Sequence, residues 1–402
     1  MNKNHRDTAA IIGAAALSVA LIVGLELLTN SVDIHSFRAD FLYYIAMAQD
    51  GFRTAGASPF AYRYVTPMIV HELYIGFGIP IEYGFRALAY IGAFLQLFGI
   101  FLFTYWFSRS IRGAYVALIV TACSLFNVKF LFFDVYRPDH LAYVLILLQT
   151  YLAFKHRFTL LLIVTLIALQ IREFNIIPLV AYLVAGPWKT KRSTAIKQTA
   201  ISALCLAVAI GLPRLLIPVA ENYQFADLSI DGLLRVLLAP LVLSRDANFF
   251  YTLAAYLLPL LMITRWADLR SVWESLPAEV RSFLITYSVL VVAFSFVGGT
   301  DFYRFTTYLF MPQAILLGLL VPRCRMMEVA GMLVCTILFN RIWLPFPGGP
   351  GRSYLDLYGG YSTRFDRVSV ERALECAGFL LVGLGLRRFH RTDGPRPELA
   401  AS

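Results

Sequence analysis

Residues 9–28 read AAIIGAAALSVALIVGLELL, an apolar run whose one charged residue is Glu26. A helical run of about 20 apolar residues is long enough to cross the ~30 Å hydrocarbon core of a bilayer. Lys3, His5 and Arg6 precede the run, as basic residues do in a secretory signal peptide. The apolar part exceeds the usual signal core, however, and no cleavage site of small residues follows it. We therefore expect a retained first transmembrane helix.

Comparable apolar runs continue along the whole chain, which is 59% hydrophobic and only 15% charged over 402 residues. Alternating ten-residue segments, the mark of a membrane β-barrel, do not occur. The composition therefore predicts an all-α polytopic membrane protein, a single integral membrane domain over 1–402 with about 12 transmembrane helices. The spans are expected at 9–28, 85–107, 113–133, 139–154, 158–171, 174–187, 195–219, 248–264, 282–298, 304–321, 326–345 and 371–387.

Basic residues gather in short clusters between pairs of spans, and the positive-inside rule places such clusters in the cytoplasm. With both termini on that side, we expect a multi-pass protein of the inner (plasma) membrane. The formal net charge of +10 then reflects topology and not nucleic-acid binding, for which no motif occurs. The five cysteines show neither metal-ligand spacing nor a disulfide framework. The basic clusters are Arg109 with Arg112; Lys155, His156 and Arg157; Lys189, Lys191 and Arg192; Arg265 and Arg270; Arg323 and Arg325; and Arg387, Arg388 and Arg391.

The remaining connections face outward and hold nearly every side chain suited to chemistry. The first outer loop, 29–84, is the longest, and the spacing of apolar residues over 37–48 predicts an amphipathic helix lying in the membrane interface. Residues 68–79 are apolar but too short to span, so we expect a second interfacial helix there. The C-terminal segment 389–402 is expected to be a disordered cytoplasmic tail. The other outer segments are 134–140, 172–175, 220–247, 299–304 and the last outer loop, 346–370.

Three residues of the first outer loop are candidates for a site. Asp40 lies near the start of the predicted interfacial helix, where an acid either caps the helix or serves as a general base at the membrane surface. Tyr44 follows one turn later. Arg63 stands between aromatic residues just before Pro67, where its guanidinium fork suits a phosphate oxygen or reaches lipid headgroups. We interpret Asp40 as the catalytic residue and Tyr44 and Arg63 as substrate-binding residues.

A second group of candidates lies in one outer turn, where Asp134, Arg137, Asp139 and His140 fall within seven residues. Arg137 and His140 are suited to binding a phosphate, and the two acids to holding them in place or binding an acceptor. Pro138 followed by an acid is also typical of an ordinary helix start. Both interpretations stay open for this turn.

Two pairs of charged residues complete the candidates. Arg172 and Glu173 interrupt the apolar stretch 158–187, so the two short spans that flank them must be tilted or partly re-entrant. Adjacent residues on a helix do not face each other, so each should meet a different partner, either in helix packing or in a donor site. Asp301 and Arg304 have the i, i+3 spacing of a surface ion pair, and Arg304 is equally suited to hold the phosphate end of a lipid carrier.

The order of first span, outer acid, tyrosine-containing interfacial helix, glycine and aromatic–basic–proline element resembles the GT-C membrane glycosyltransferases. That superfamily includes protein mannosyltransferases and lipid A aminoarabinose transferases, and the resemblance is firmest over 9–187. It implies a sugar donor linked to polyprenyl phosphate and a catalytic acid in the first outer loop, here Asp40, with Asp33 as the fallback. It also implies a basic residue late in that loop, here Arg63, and a basic–acidic pair in the donor pocket, here Arg172 with Glu173.

One departure from the family bears on cofactors. The family often shows two neighbouring acids, whereas Ala39 and Phe41 flank Asp40. The cofactor is therefore unknown: a divalent metal stays an open question, and no metal-ligating residue is predicted. The expected partners are a polyprenyl-phosphate-linked sugar, membrane lipids and an unidentified glycan, lipid or protein acceptor.

Two other function classes stay open. No P-loop, dinucleotide fingerprint, nucleophile elbow or zinc-protease motif occurs, which argues against ATP-driven transport and against serine or zinc hydrolysis. A lipid-carrier flippase or small-solute transporter also uses charged residues between broken spans. A polysaccharide polymerase or ligase would use arginines on the same outer face.

Overall fold

The chain is helical almost throughout the residues that the computed structural model describes, which are 3–30, 41–53, 56–124, 127–186, 192–217, 219–222, 243–297, 305–344 and 367–389. Two short strands, β1 Gly56–Ser58 and β2 Val219–Asn222, pair in parallel. The predicted all-α class is confirmed for these residues. The α-helices are α1 Lys3–Leu27, α2 Phe41–Asp50, α3 Val65–Phe77, α4 Ile81–Ser108, α5 Ile111–Ala122, α6 Val128–Phe133, α7 Asp139–Phe154, α8 Phe158–Leu169, α9 Ile177–Ala185, α10 Arg192–Leu216, α11 Leu243–Ile263, α12 Trp266–Ser275, α13 Ala278–Val297, α14 Phe310–Leu320, α15 Met326–Asn340 and α16 Arg367–Phe389.

Four of the described helices are long and apolar enough to cross a bilayer on their own, which makes the protein compatible with a membrane. They are α1, α4, α10 and the 278–295 part of α13. The other apolar helices are shorter: a helix of 12 residues, such as α8, is about 18 Å long, against a ~30 Å hydrocarbon core. The count of twelve crossings therefore stays a prediction.

One predicted span is broken in the structure, and the interruption predicted at Arg172 and Glu173 is present. The span expected over 113–133 divides into α5 and α6, and the break brings the buried Lys129 side chain onto the carbonyl oxygens of Ile342 and Leu344. A lysine inside an unbroken apolar helix would lack such partners. The stretch 158–187 forms two short helices, α8 and α9, and a 3-10 turn at Glu173–Ile176 lies between them.

Residues of four predicted basic clusters lie at one end of the helix bundle, which we call the basic end: Arg112, Arg265, Arg323 and Arg387. Lys189, Lys191 and Arg391 lie outside the described residues. Arg112 donates from Nη1 to the carbonyl of Cys324 at 3.0 Å, and Arg265 Nη2 lies 2.9 Å from Glu328 Oε1. The turns that carry these clusters are tight: Arg109 adopts a left-handed φ of 58°, and the Ser110 hydroxyl caps α5. The assignment of this end to the cytoplasm stays a prediction. Other basic groups of this end are Arg323, which bonds the carbonyl of Asp268, and Arg387, which bonds that of Met262.

The first outer loop folds back against the bundle. Helix α2 buries Phe41, Tyr44 and Ala48, the face expected from the spacing, and also Met47. Helix α3 packs against α2. It lies where a second interfacial helix was expected, at 68–79, and begins three residues earlier; its location in the interface stays a prediction. The strand pair β1–β2 fastens the loop to the segment after α10.

Candidate functional site

Arg63 and Glu173 form a two-point ion pair that joins the first outer loop to the turn between α8 and α9. Arg63 donates from Nε to both Glu173 carboxylate oxygens, at 3.0 and 3.1 Å, and its Nη2 lies 3.0 Å from Oε2. Its Nη1 donates to the Tyr44 hydroxyl at 3.3 Å. The Arg63 side chain is 12% exposed and that of Glu173 is 45% exposed. One edge of this guanidinium therefore holds a carboxylate and the other holds a phenol.

Arg172 and Asp139 form a second ion pair, which is fully buried. Arg172 Nε lies 3.0 Å from Asp139 Oδ1, and each side chain is 2% exposed. Asp139 is the first residue of α7, where the helix dipole favours a negative charge. The Arg172 guanidinium also lies over the Phe305 ring, 5.7 Å from its centroid. Within the described residues its Nη1 has no hydrogen-bond partner.

The two ion pairs belong to one group, which we call the polar cluster: Tyr44, Arg63, Asp139, Arg172 and Glu173. Burial disfavours the charge on Glu173, but the positive charges of Arg63 and then Arg172 outweigh it, so the pKa of this carboxyl lies below its ordinary value. Burial raises the pKa of the Tyr44 phenol, which keeps it protonated. The cluster is therefore a network of ionised pairs with a neutral phenol at one side.

Arg137 lies beside the polar cluster and has its own carboxylate. It forms an ion pair with Asp134 and lies over the Phe130 ring, 5.9 Å from the centroid. The neighbouring Tyr136 stacks on Phe41 of α2 with ring centroids 5.5 Å apart. The outer turn 134–137 is thus packed against the first outer loop, and its arginine is held by an acid three residues earlier.

His140 lies apart from the polar cluster. Its side chain is fully buried against α4, where a Cβ added to Gly92 would lie 2.8 Å from His140 Cβ and Cδ2. Successive residues of a helix point about 100° apart, so α7 directs Asp139 to the cluster and His140 to the helix interface. The described structure therefore gives His140 a packing environment, and its predicted role in substrate binding receives no geometric support.

Several predicted residues lie outside the described residues. They include both candidates for the catalytic acid, Asp40 and Asp33, and the pair Asp301 and Arg304. Most of the last outer loop, over 346–366, also lies outside. Their roles stay predictions. Asp40 nevertheless directly precedes α2, which carries Tyr44 into the cluster.

The predicted arginines of the site are compensated by acids. Arg63, Arg137 and Arg172 each pair with one carboxylate, so these three pairs together carry no net charge. Burial explains the pairing, because an ion without a partner in a low-dielectric interior raises the free energy of the folded state by roughly several kcal/mol. Among the described residues no group of three or more His, Cys, Asp or Glu side chains is arranged to hold a metal ion.

Two further residues reach the site that sequence reasoning did not single out. Arg214, near the end of α10, lies over the Tyr62 ring with its guanidinium carbon 4.7 Å from the centroid. Gln170 donates to the carbonyl of Ala209 in α10 at 3.0 Å and accepts from the backbone of Val65 at 3.4 Å. For Arg214, the available signal was an arginine near the end of the largely apolar span expected at 195–219.

No protein-family model, curated protein or solved structure matches the chain. The comparisons therefore add nothing to the resemblance drawn from the first span, the first outer loop and the Arg172–Glu173 pair. Any functional conclusion rests on the residues of the site and on their geometry.

Proposed function

We propose that the protein is a membrane glycosyltransferase, which moves a sugar from a polyprenyl-phosphate donor to an acceptor on the outer, periplasmic face. The observation that carries the proposal is the convergence of the polar cluster. Its five residues come from α2, the end of the first outer loop, the start of α7 and the turn after α8, and all five were candidates from the sequence. They meet at the end of the bundle opposite the basic clusters, where a lipid-linked donor would present its sugar.

In the proposed reaction an acceptor hydroxyl attacks the anomeric carbon of the sugar. The new bond from oxygen to carbon forms as the bond from that carbon to the phosphate oxygen breaks, and the polyprenyl phosphate leaves with the electron pair. The Asp40 carboxylate takes the proton of the hydroxyl. Arginines near the phosphate stabilise the charge that grows on the leaving group. Attack opposite the leaving group inverts the anomeric configuration.

The acids of the polar cluster have a positioning role in this proposal. Glu173 and Asp139 hold Arg63 and Arg172 in fixed orientations, and each guanidinium has five N–H donors. The pairing with Glu173 uses the Nε and Nη2 side of Arg63, and the pairing with Asp139 uses Nε of Arg172. Donors of both side chains stay available to a phosphate oxygen, and preorganised donors are the main source of electrostatic catalysis.

The test is a transfer assay on the purified full chain with a panel of polyprenyl-phosphate hexoses and pentoses and native membrane lipid as acceptor. We expect release of polyprenyl phosphate by the wild type and by Asp50→Asn, a matched control at the last residue of α2. Asp40→Asn should lose transfer while keeping the expression level and melting temperature of the wild type. Full turnover by Asp40→Asn would remove this residue from the mechanism.

A transporter is the second candidate, and the Arg172–Asp139 pair is the observation that favours it. The pair is fully buried at the junction of α7 with the short helices α8 and α9, and discontinuous helices around buried charges are typical of transporters. This candidate predicts solute uptake into proteoliposomes that contain no lipid-linked sugar. Such uptake, without sugar transfer from any donor of the panel, would replace the glycosyltransferase proposal. A polymerase or ligase would instead require a polyprenyl diphosphate donor in the same assay.

A further inference from the structure

The pairing of the predicted arginines with acids raises the question of which cation meets an incoming phosphate. The phosphate of a polyprenyl-phosphate sugar is a diester with one negative charge, and a buried anion is stable only beside cations that compensate it. Among the arginines predicted to bind phosphate, Arg63, Arg137 and Arg172 are each compensated by a carboxylate already. An additional positive charge at the edge of the polar cluster would meet this need.

Arg214 supplies such a charge. Its side chain is exposed and has no carboxylate partner among the side chains that the structure describes. It bonds the carbonyl of Ile210 through Nη1 at 2.8 Å and lies over the Tyr62 ring. Tyr62 directly precedes Arg63, so the charge of Arg214 borders the polar cluster.

Three contacts fasten the end of α10 to the site. Gln170, two residues before Arg172, bonds the Ala209 carbonyl of α10 at 3.0 Å. The Arg214 guanidinium covers the Tyr62 ring. Strand β2, which follows α10, pairs with β1 in the first outer loop. The position of Arg214 relative to the cluster is therefore set by packing on both sides, as a binding residue requires.

The rest of α10 is suited to lie against lipid. It has 25 residues, a length of about 37 Å, which exceeds the ~30 Å core of a bilayer. Its apolar side chains are largely uncovered: Leu204 is 68% exposed and Leu215 is 85% exposed. A long isoprenoid chain can therefore follow this helix through the membrane while its headgroup reaches the end that carries Arg214.

We propose that Arg214 binds the phosphate of the polyisoprenoid carrier, at the lipid-facing edge of the polar cluster. The inference rests on the proposed function and names the carrier-binding residue of the same site. The phosphate is held between the free edge of the Arg214 guanidinium and the cluster. Charge complementarity selects the occupant, since a neutral lipid offers Arg214 no partner.

The experiment measures dissociation constants by microscale thermophoresis on the purified full chain. The probes are a polyprenyl monophosphate, the corresponding polyprenol and phosphatidylglycerol. We expect the wild type to prefer the monophosphate over both other lipids. Arg214→Gln should weaken monophosphate binding by roughly tenfold or more, as expected for a lost charge-assisted hydrogen bond, and leave polyprenol binding unchanged. Arg214→Lys should restore part of the affinity, because the point charge remains.

The matched control is Arg192→Gln, which makes the same change of charge at the opposite end of α10. It should bind the monophosphate like the wild type, and all variants should keep the wild-type melting temperature. Equal affinities of Arg214→Gln and Arg192→Gln, with the monophosphate still preferred, would overturn the inference and leave the proposed function standing. A wild type that binds polyprenol or phosphatidylglycerol as tightly as the monophosphate would overturn both.

Discussion

Arg63 and Glu173 are 110 residues apart in the chain, yet three nitrogen–oxygen distances of 3.0 to 3.1 Å join them. The pair connects the end of the first outer loop to the turn between two helices that are too short to span a membrane alone. It therefore holds an interfacial segment against the bundle and sets the direction of the Arg63 guanidinium. The two-point geometry gives this contact more specificity than a single charge pair would have.

The contribution of the Arg63–Glu173 pair can be measured with a double-mutant cycle. Arg63→Gln and Glu173→Gln should each lower the melting temperature in detergent, and the double variant should lie close to the weaker of the two. Because the Glu173 side chain is 45% exposed and screened by solvent, we expect a coupling energy of about 1 kcal/mol. Purely additive effects would show that the pair does not stabilise the fold.

Removing one partner of the Arg172–Asp139 pair should lower the stability of the fold much more than breaking the Arg63–Glu173 pair. Asp139→Asn leaves a guanidinium that is 2% exposed without its charge partner, which typically costs roughly 3–5 kcal/mol. The yield of folded protein and the melting temperature should fall sharply. The double variant Arg172→Gln with Asp139→Asn should recover most of the loss, because no unpaired charge remains inside.

The surface pair Arg270–Glu274 is the matched control for the buried pair. Its nitrogen–oxygen distance is 2.8 Å, but its side chains are 71% and 58% exposed. Glu274→Gln should change the stability by at most about 0.5 kcal/mol. If Asp139→Asn were as mild as Glu274→Gln, water would have to reach Arg172.

Helices α5 and α14 approach each other closely at Gly113. A Cβ added there would lie 2.6 Å from the backbone oxygen of Gly318, and backbone atoms cannot turn aside as a side chain can. Gly113→Ala should therefore push the two helices apart and cost about 1–3 kcal/mol in thermal unfolding. Gly24→Ala is the control, since nothing lies within 4 Å of its added Cβ. It should be neutral or stabilising by up to ~1 kcal/mol.

Because of Glu173, the stability of the fold should vary with pH in the acid range. Its folded-state pKa lies below the ordinary value, because Arg63 and Arg172 outweigh the effect of burial. The ionised carboxyl then stabilises the fold fully above the ordinary glutamate pKa of about 4.3, and this contribution is lost as the pH falls through the lower folded-state value. The melting temperature of the wild type should drop in that range more than that of Glu173→Gln. If the melting temperatures of the wild type and Glu173→Gln fell in parallel with pH, this assignment would be contradicted.

Much of the architecture could be predicted because lipid acts on each residue separately. A side chain in the hydrocarbon core must be apolar, so the positions of α1, α4 and α10 are visible in the hydropathy of the chain. The location of the described basic residues at one end of the bundle could likewise be predicted from the charge pattern. The break between α5 and α6 was missed, because it depends on the carbonyls of Ile342 and Leu344 that receive Lys129.

For the candidate site too, the sequence predicted some features and only the tertiary structure showed the others. Residue type and location identified Tyr44, Arg63, Asp139, Arg172 and Glu173, since charged side chains beside apolar runs need partners. Their pairing could not be foreseen: Arg172 meets Asp139 and not its neighbour Glu173. Arg214 was passed over because an arginine near a helix end usually reaches toward lipid headgroups.

Hydropathy and the order of charges thus determined by themselves that the chain is largely helical, that its apolar helices are compatible with a membrane, and which residues are candidates for its chemistry. Only the tertiary structure decided that Arg63, Arg137 and Arg172 each pair with their own carboxylate, that His140 packs against Gly92, and that Arg214 lies over Tyr62. The physical reason is the separation along the chain over which each interaction acts. Transfer into lipid is a property of each short segment, whereas an ion pair exists only after helices distant in sequence have packed and brought two charges within about 4 Å of each other.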